Sequence, residues 1–342
     1  MAPSKKVLLT GVSGFLGSHT TIQLLNRGYT VTGTLRRMDR GDSLREILAR
    51  HTPHIDRLRF AEAELEDQEV WMKLMDGVDY VQHIASPFPR VLPEREEDLI
   101  IPARAGVLNV LKAAAAKQVK RVVMTSSSGA IVYGKDRADR SGTFDESDWT
   151  DVSKREDTTP YFRSKTIAEK AAWDFIANEG KGLELAVICP GAILGPVLEQ
   201  DFGTSANIVI KTMDGSSPAI PRIGFDIVDV RSVADLQIRA MEAPEAANQR
   251  FIGSAGFLSF KAVADILREA YPDRRIPRMI LPNFAVRLFA RIDKTLQPIL
   301  LDLGTERKVD NRKARNLLNW KPIPVKEAVL SCAESVIELN LV

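Results

Sequence analysis

The stretch Thr10-Gly11-Val12-Ser13-Gly14-Phe15-Leu16-Gly17 decides the fold. It follows a short apolar run at residues 7–9 and opens a segment, 16–26, that reads as a helix. Three glycines at that spacing meet three needs: a tight turn, a backbone able to approach a pyrophosphate, and a helix packed close on its strand. The free N–H groups and the positive dipole end of the helix then favour phosphate. A glycine triplet alone is weak evidence, but between a first strand and a first helix it becomes strong.

Working outward, the alternation repeats. Residues 29–34, 58–63, 80–84, 121–125 and 184–188 are further strand candidates, and 43–51, 69–75, 100–117 and 161–178 are further helix candidates. Strands separated by helices require right-handed crossovers and a parallel sheet covered on both faces. The expected fold class is therefore α/β, a doubly wound parallel sheet. After Gly191 prolines punctuate a less regular, more helical remainder. With 342 residues the chain exceeds the ~250–300 at which one core stops growing. The expected division is a nucleotide-binding domain of residues 1–192 and 222–253, and a smaller, mostly helical substrate lobe of 193–221 and 254–342. Residues 134–160 form a long polar stretch, expected to be either functional or disordered.

Composition excludes several classes. Lys plus Arg number 47 against 45 Asp plus Glu, a net charge of +2, so no basic surplus marks a nucleic-acid partner. The longest apolar stretch, 183–198, is broken by Glu184, Pro190 and Pro196, so no membrane span and no membrane partner are expected. The first apolar run is too short for a signal peptide, and a cytoplasmic location is expected. Cys189 and Cys332 cannot build a disulfide framework, and no histidine pair has metal-ligand spacing, so no metal is expected. The partner expected is a small molecule, with the chain a monomer or a homodimer.

The residues just past the second strand select the dinucleotide. Asp or Glu there would bind the ribose 2′-hydroxyl of NAD. Here the strand ends Gly33-Thr34-Leu35-Arg36-Arg37, with Arg40 close behind. Guanidinium groups suit a dianionic 2′-phosphate, so NADP(H) is expected, with Arg36 ahead of Arg37. The alternative is that these arginines are merely solvated and Asp39 or Asp42 takes the acidic role. Tyr161-Phe162-Arg163-Ser164-Lys165 then sets a phenol and an ammonium four apart on one helical face. A nearby ammonium stabilises phenolate, which makes the pair a tunable acid–base group. Such spacing is common by itself. It gains weight from Thr125-Ser126-Ser127-Ser128 at a strand end that borders the expected ligand crevice.

In this order, the glycine triplet, the Thr125-Ser126-Ser127 strand end and Tyr161-x-x-x-Lys165 make the chain resemble an extended short-chain dehydrogenase/reductase. Within that family it is similar to the dihydroflavonol 4-reductase-like branch, which includes cinnamoyl-CoA reductases and yeast-type methylglyoxal and ketone reductases. His83-Ile84-Ala85-Ser86-Pro87, Gly106-Val107-Leu108-Asn109-Val110-Leu111, Ser164-Lys165-Thr166-x-Ala168-Glu169, Asp229-Val230-Arg231, Asp310-Asn311-x-Lys313-Ala314 and Trp320-x-Pro322 extend the likeness over the whole chain.

The resemblance implies a Rossmann domain and a Ser-Tyr-Lys site. Ser127 would be the catalytic serine, with Ser126 and Ser128 as alternatives, Tyr161 the proton donor, and Lys165 the group that binds the nicotinamide ribose and lowers the phenol. It implies a dinucleotide set of Gly11, Ser13, Gly14, Phe15, Leu16, Gly17, Arg36, Arg37, Glu64, Leu65, Ala85, Ser86, Pro87, Tyr161, Lys165 and Pro190. Pro190 would border the nicotinamide and Glu64-Leu65 the adenine, where the family more often has Asp in place of Glu64. Plant dihydroflavonol reductases carry an Asn where this chain has Val132, so a less polar carbonyl substrate than a flavonoid is expected. The segments 202–213 and 284–296 would close over it. The activity implied is NADPH-dependent reduction of an aldehyde or ketone. A nucleotide-sugar epimerase or dehydratase would share the fold, but residues 125–128 hold no acid and the arginines after strand two argue against NAD. A non-catalytic dinucleotide sensor would commonly have lost part of the Ser, Tyr and Lys set, which is complete here.

Overall fold

The computed structural model describes residues 4–87, 95–200, 202–215, 219–292 and 297–342, so residues 293–296 of the expected substrate-closing segment lie outside it. In chain order the strands are β1 (Lys6–Thr10), β2 (Thr30–Leu35), β3 (Leu58–Glu62), β4 (Tyr80–His83), β5 (Arg121–Thr125), β6 (Gly142–Phe144), β7 (Glu184–Pro190), β8 (Ala192–Leu194), β9 (Ala219–Ile220), β10 (Gly224–Asp229), β11 (Gln249–Gly253), β12 (Gly256–Ser259), β13 (Met279–Ile280) and β14 (Arg307–Val309). The helices are α1 (Phe15–Asn26), α2 (Gly41–Ala49), α3 (Gln68–Leu74), α4 (Glu97–Ala116), α5 (Pro160–Glu179), α6 (Asn207–Met213), α7 (Val230–Glu242), α8 (Phe260–Ala270), α9 (Asn283–Ile292), α10 (Arg312–Leu318) and α11 (Val325–Glu338).

Seven strands form one sheet in the order β3-β2-β1-β4-β5-β7-β11, every neighbouring pair parallel. Parallel pairing buries both faces, and the period of two shows it. Leu8 and Leu9 are fully buried yet belong to cores on opposite faces, and Val122 and Val123 divide the same way. One core gathers α1, α2 and α7 (Leu24, Leu44, Val233) with Trp320, and the other gathers α3, α4 and α5 (Trp71, Val110, Ala172). The direction of winding reverses between β1 and β4, which opens a crevice beyond their carboxyl ends. The helix α4 is the one described helix long and apolar enough to cross a bilayer. Half of that span is buried inside the protein, with Val107, Val110 and Leu111 in the core, as befits a helix covering a sheet.

The chain leaves the large sheet at Gly191. A side chain there would put Cβ 2.3 Å from the Asp226 carbonyl oxygen, so only glycine lets β7 run on into β8, which pairs with β10. The order β12-β10-β8 forms a small second sheet, backed by α6, α8 and α11 around Val209, Val263 and Val329. Residues 134–160 are ordered. They include β6, which pairs with β14 from near the chain end, and Asp157, which accepts from Arg307 Nη2 at 2.5 Å.

Candidate active site

The glycine turn has the shape its sequence demands. Gly11 has φ +75° and lies against the Ala85 backbone, while a Cβ on Gly17 would sit 2.0 Å from the Gly11 carbonyl oxygen. Thr10 fixes the neighbouring strand end. Its Oγ1 accepts from the N–H groups of Ile84 (3.1 Å) and Ala85 (3.0 Å), so its own proton is left to donate to His83 Nδ1 at 3.0 Å. Burial holds His83 down to about 3, so the ring stays neutral. In the sequence Thr10 stands out only as the start of the turn.

At this turn lies a cavity of about 710 Å³. Gly11, Ser13, Gly14, Phe15, Leu16, Gly17, Arg36, Glu64, Leu65, Ala85, Ser86 and Pro87 line it. Its size, its glycine floor and the N-terminus of α1 fit a dinucleotide. Arg36 is exposed and on the wall. Arg37 is not on the wall; its side chain is 80% exposed and ion-paired to Asp39. Asp39 is thereby engaged and, like Asp42, lines no part of the cavity. Leu65 is held by its carbonyl, which accepts from Asn109 Nδ2 at 3.0 Å and Trp71 Nε1 at 3.2 Å. Phe202 and Gly203, from the 202–213 segment expected to close over the substrate, line this dinucleotide-sized cavity instead.

Tyr161, Lys165 and Pro190 lie elsewhere. A second cavity, of about 220 Å³, is lined by Ser127, Ser128, Val132, Tyr161, Phe162, Phe225, Asp226 and Arg307 among others. The local sequence places Tyr161 there. Thr159 caps α5 by accepting from the Phe162 N–H at 3.2 Å, and Pro160 starts the helix, so Tyr161 falls in its first turn. Phe162 stacks on Tyr133 with ring centroids 4.0 Å apart, over Gly129, where any Cβ would lie 2.3 Å from the Phe162 ring. Arg163 anchors the same turn through Glu96 and Thr158. Ser127 Oγ accepts from the Gly129 N–H at 3.0 Å and hydrogen-bonds the Tyr161 phenol. Lys165 is buried one turn along α5 and donates to the Thr125 carbonyl at 3.3 Å. Pro190, at the end of β7, is buried and lines neither cavity.

The phenol differs from expectation. Burial pushes Tyr161 up to about 12, and Ser127 draws it partly back. Lys165 is itself lowered to about 8 by burial, against the pull of nearby charge that includes Glu169. Desolvation therefore dominates the phenol, and the buried ammonium one turn on is itself weakened by the same burial.

A buried network beneath the site was not legible. Glu169, fully buried, accepts from Ser126 Oγ at 2.5 Å, Arg250 Nε at 2.6 Å and Trp173 Nε1 at 3.2 Å. Of the two serines that sequence left open beside Ser127, Ser126 is thus turned into this network, while Ser128 lines the smaller cavity. The described residues hold no cluster of His, Cys, Asp or Glu able to bind a metal.

The crevice at the reversal of the sheet, the glycine turn and the hydroxyl-phenol pair are those of a dinucleotide-dependent Rossmann protein. The chain belongs to the NAD dependent epimerase/dehydratase family, whose model matches residues 7–252, and within it to the extended short-chain reductase branch. It is 36% identical to cinnamoyl-CoA reductase 1 of Arabidopsis thaliana over 80% of this chain and 77% of that protein. It is 30% identical to the putative NADPH-dependent methylglyoxal reductase GRP2 of Candida albicans, over 96% of this chain and 97% of that protein. The crystal structure of yeast methylglyoxal/isovaleraldehyde reductase Gre2 complexed with NADPH superposes with a TM-score of 0.81 at 27% identity, covering 98% and 99% of the two chains.

Proposed function

We propose that this NADP-dependent oxidoreductase reduces an aldehyde or ketone to the alcohol with NADPH, through Ser127, Tyr161 and Lys165. The observation that carries the reading is the hydrogen bond between the Ser127 hydroxyl and the Tyr161 phenol on the wall of one cavity, with Lys165 one turn behind. NADPH, when bound, supplies the hydride. Ser127 holds the carbonyl oxygen where negative charge gathers. Tyr161, whose phenol stays protonated up to about pH 12, gives that oxygen its proton. Lys165 places positive charge behind the phenol while it remains an ammonium.

The glycine turn and the 710 Å³ cavity would seat the dinucleotide, and Arg36 on its wall would hold the adenosine 2′-phosphate. The smaller cavity sets apolar Val132, Phe162, Phe225 and Val309 beside polar Asp226, Asp302, Thr305 and Arg307, which suits a carbonyl compound with an apolar body and a hydrogen-bonding group. The test is a kinetic panel of aromatic aldehydes, α-dicarbonyls and β-keto esters with NADPH and NADH side by side, run on the native chain and on Tyr161→Phe. Turnover with NADPH that Tyr161→Phe abolishes, while NADPH fluorescence titration stays nearly unchanged, supports the reading. Joint loss of turnover and binding, or no turnover of any carbonyl compound, overturns it.

A further inference from the structure

We propose that the face formed by Met279, Ile280 and α9 docks on an anionic lipid bilayer. Isolated exposed apolar residues need no explanation, but a contiguous group does. Here Phe284 is 74% exposed, Met279 61%, Leu288 56% and Phe289 50%, all within eleven residues. At 100° per residue, Phe284, Leu288 and Phe289 fall on the outward arc of α9, while Val286 and Ala290 face inward and are buried.

Charge says what this face meets. Residues 273–294 contain Arg274, Arg275, Arg278, Arg287, Arg291 and Lys294 against Asp273 and Asp293, a local surplus of positive charge in a chain whose whole net charge is +2. Arg275, Arg278, Arg287 and Arg291 are exposed. Among the described residues no carboxylate pairs with any of these four. By helical spacing Arg287 and Arg291 fall beside the Phe284–Leu288 stripe, so exposed apolar side chains are flanked by guanidinium groups with no carboxylate partner among the described residues. That is the design of a helix lying in the interface of an acidic membrane, apolar groups in the acyl boundary and cations at the headgroups.

A second copy of this chain is the weaker occupant. A two-fold interface sets the same patch against itself and would press arginine on arginine. The expectation of no membrane partner rested on the want of a spanning segment, and an interfacial helix needs none. Docking would also serve the site. Val286 packs in the same cluster as Ile223 and Phe225, and Phe225 lines the 220 Å³ cavity. The bilayer would then lie close behind one wall of the cavity proposed to take the carbonyl compound.

The test is flotation of the full chain with vesicles of phosphatidylcholine alone and of phosphatidylcholine with phosphatidylserine. The chain should float with the second and not the first, and raised salt should release it. Phe284→Ser with Leu288→Ser should abolish flotation. Arg287→Gln with Arg291→Gln should weaken it roughly thirtyfold, at the contribution ordinary for two basic residues near an anionic leaflet. The described residues of α9 line neither cavity, against the expectation that 284–296 closes over the substrate, so NADPH turnover in free solution should be unchanged in both variants. Equal flotation with neutral vesicles, flotation with neither, or undiminished flotation of both variants overturns the proposal. So does a dimer in light scattering that Phe284→Ser converts to monomer, which would assign the face to a second copy.

Discussion

Ser126 donates its hydroxyl proton to Glu169 at 2.5 Å, joining the end of β5 to α5 one turn beyond Lys165. The same carboxylate takes Arg250 from β11 at 2.6 Å, and Arg250 in turn donates to the carbonyls of Glu146 and Asp148. One buried ion pair thus ties together the end of β5, the middle of α5, the start of β11 and the long polar loop. Removing one partner leaves the other charge buried and uncompensated, which costs about 3–5 kcal/mol. Glu169→Gln should therefore lower the urea midpoint sharply without changing the slope of the transition. Adding Arg250→Met, which removes the stranded cation, should recover part of the loss. A single variant as stable as the native chain would show that the pair holds nothing together.

The proposed reaction should lose rate on the alkaline side. Burial lowers Lys165 to about 8, so its ammonium is present below that pH and is lost as pH rises through it. The phenol, near 12, remains protonated throughout that window. With NADPH as reductant, kcat/KM should be level near pH 7 and fall about tenfold per unit well above 8. Because the Glu169 charge supports the ammonium, Glu169→Gln should move this limb to lower pH. A profile flat to pH 10 would remove Lys165 from the proposed role.

Local pattern carried far into this fold. Six of the seven strands of the large sheet were legible because an apolar run sits between turn residues, and the first βα turn because glycine alone fits it; the seventh, β11, lies in the less regular stretch after Gly191 and was not read as a strand. The hidden part is non-local. Arg250 meets Glu169 from 81 residues away, and Arg307 meets Asp157 from 150, and neither pair leaves a trace in spacing. Burial is equally silent in sequence, which is why a phenol expected to be lowered is raised. The neighbours Arg36 and Arg37 were nearly interchangeable on paper. In the fold, one looks into the cavity and the other turns to Asp39.

That divergence makes a sharp test. Arg36→Ala should raise the NADPH dissociation constant about tenfold to a hundredfold, the range of one charge-assisted hydrogen bond. It should leave NADH, which lacks the 2′-phosphate, almost untouched. Arg37→Ala should change neither by more than about twofold, since its partner is a screened surface ion pair. Fluorescence titration of both cofactors decides it. Equal effects of the two substitutions would move the phosphate site.

Two buried histidines make the protein sensitive to acid, against the opposite effect of Asp226, which burial raises to about 7 so that the folded chain takes up its proton first. Burial lowers His83 to about 3 and His19 to about 4 from the ordinary 6.5. Below pH 6.5 the unfolded chain therefore binds protons that the folded one refuses, and stability falls as pH falls, by up to about 1.4 kcal/mol per unit for each histidine. With Asp226 offsetting about one of the two histidines over this range, urea midpoints should decline gently from pH 6.5 to 4. In His19→Gln, which removes one of the two groups, the decline should be shallower.

The glycine turn allows a finer separation of folding from binding. A Cβ at Gly17 would lie 2.0 Å from the Gly11 carbonyl oxygen and 2.9 Å from its carbon, and both obstacles are backbone. Gly17→Ala must push α1 off β1, so it should lower thermal stability and abolish NADPH binding together. A Cβ at Gly14 would meet that oxygen at 3.4 Å, an ordinary contact, yet Gly14 lines the dinucleotide cavity. Gly14→Ala should therefore keep the native melting temperature to within a few degrees and still weaken NADPH, because the methyl group intrudes where the pyrophosphate approaches the backbone. Calorimetry and fluorescence titration on the two variants would tell them apart. If Gly14→Ala bound NADPH as tightly as the native chain, the pyrophosphate could not lie against this turn.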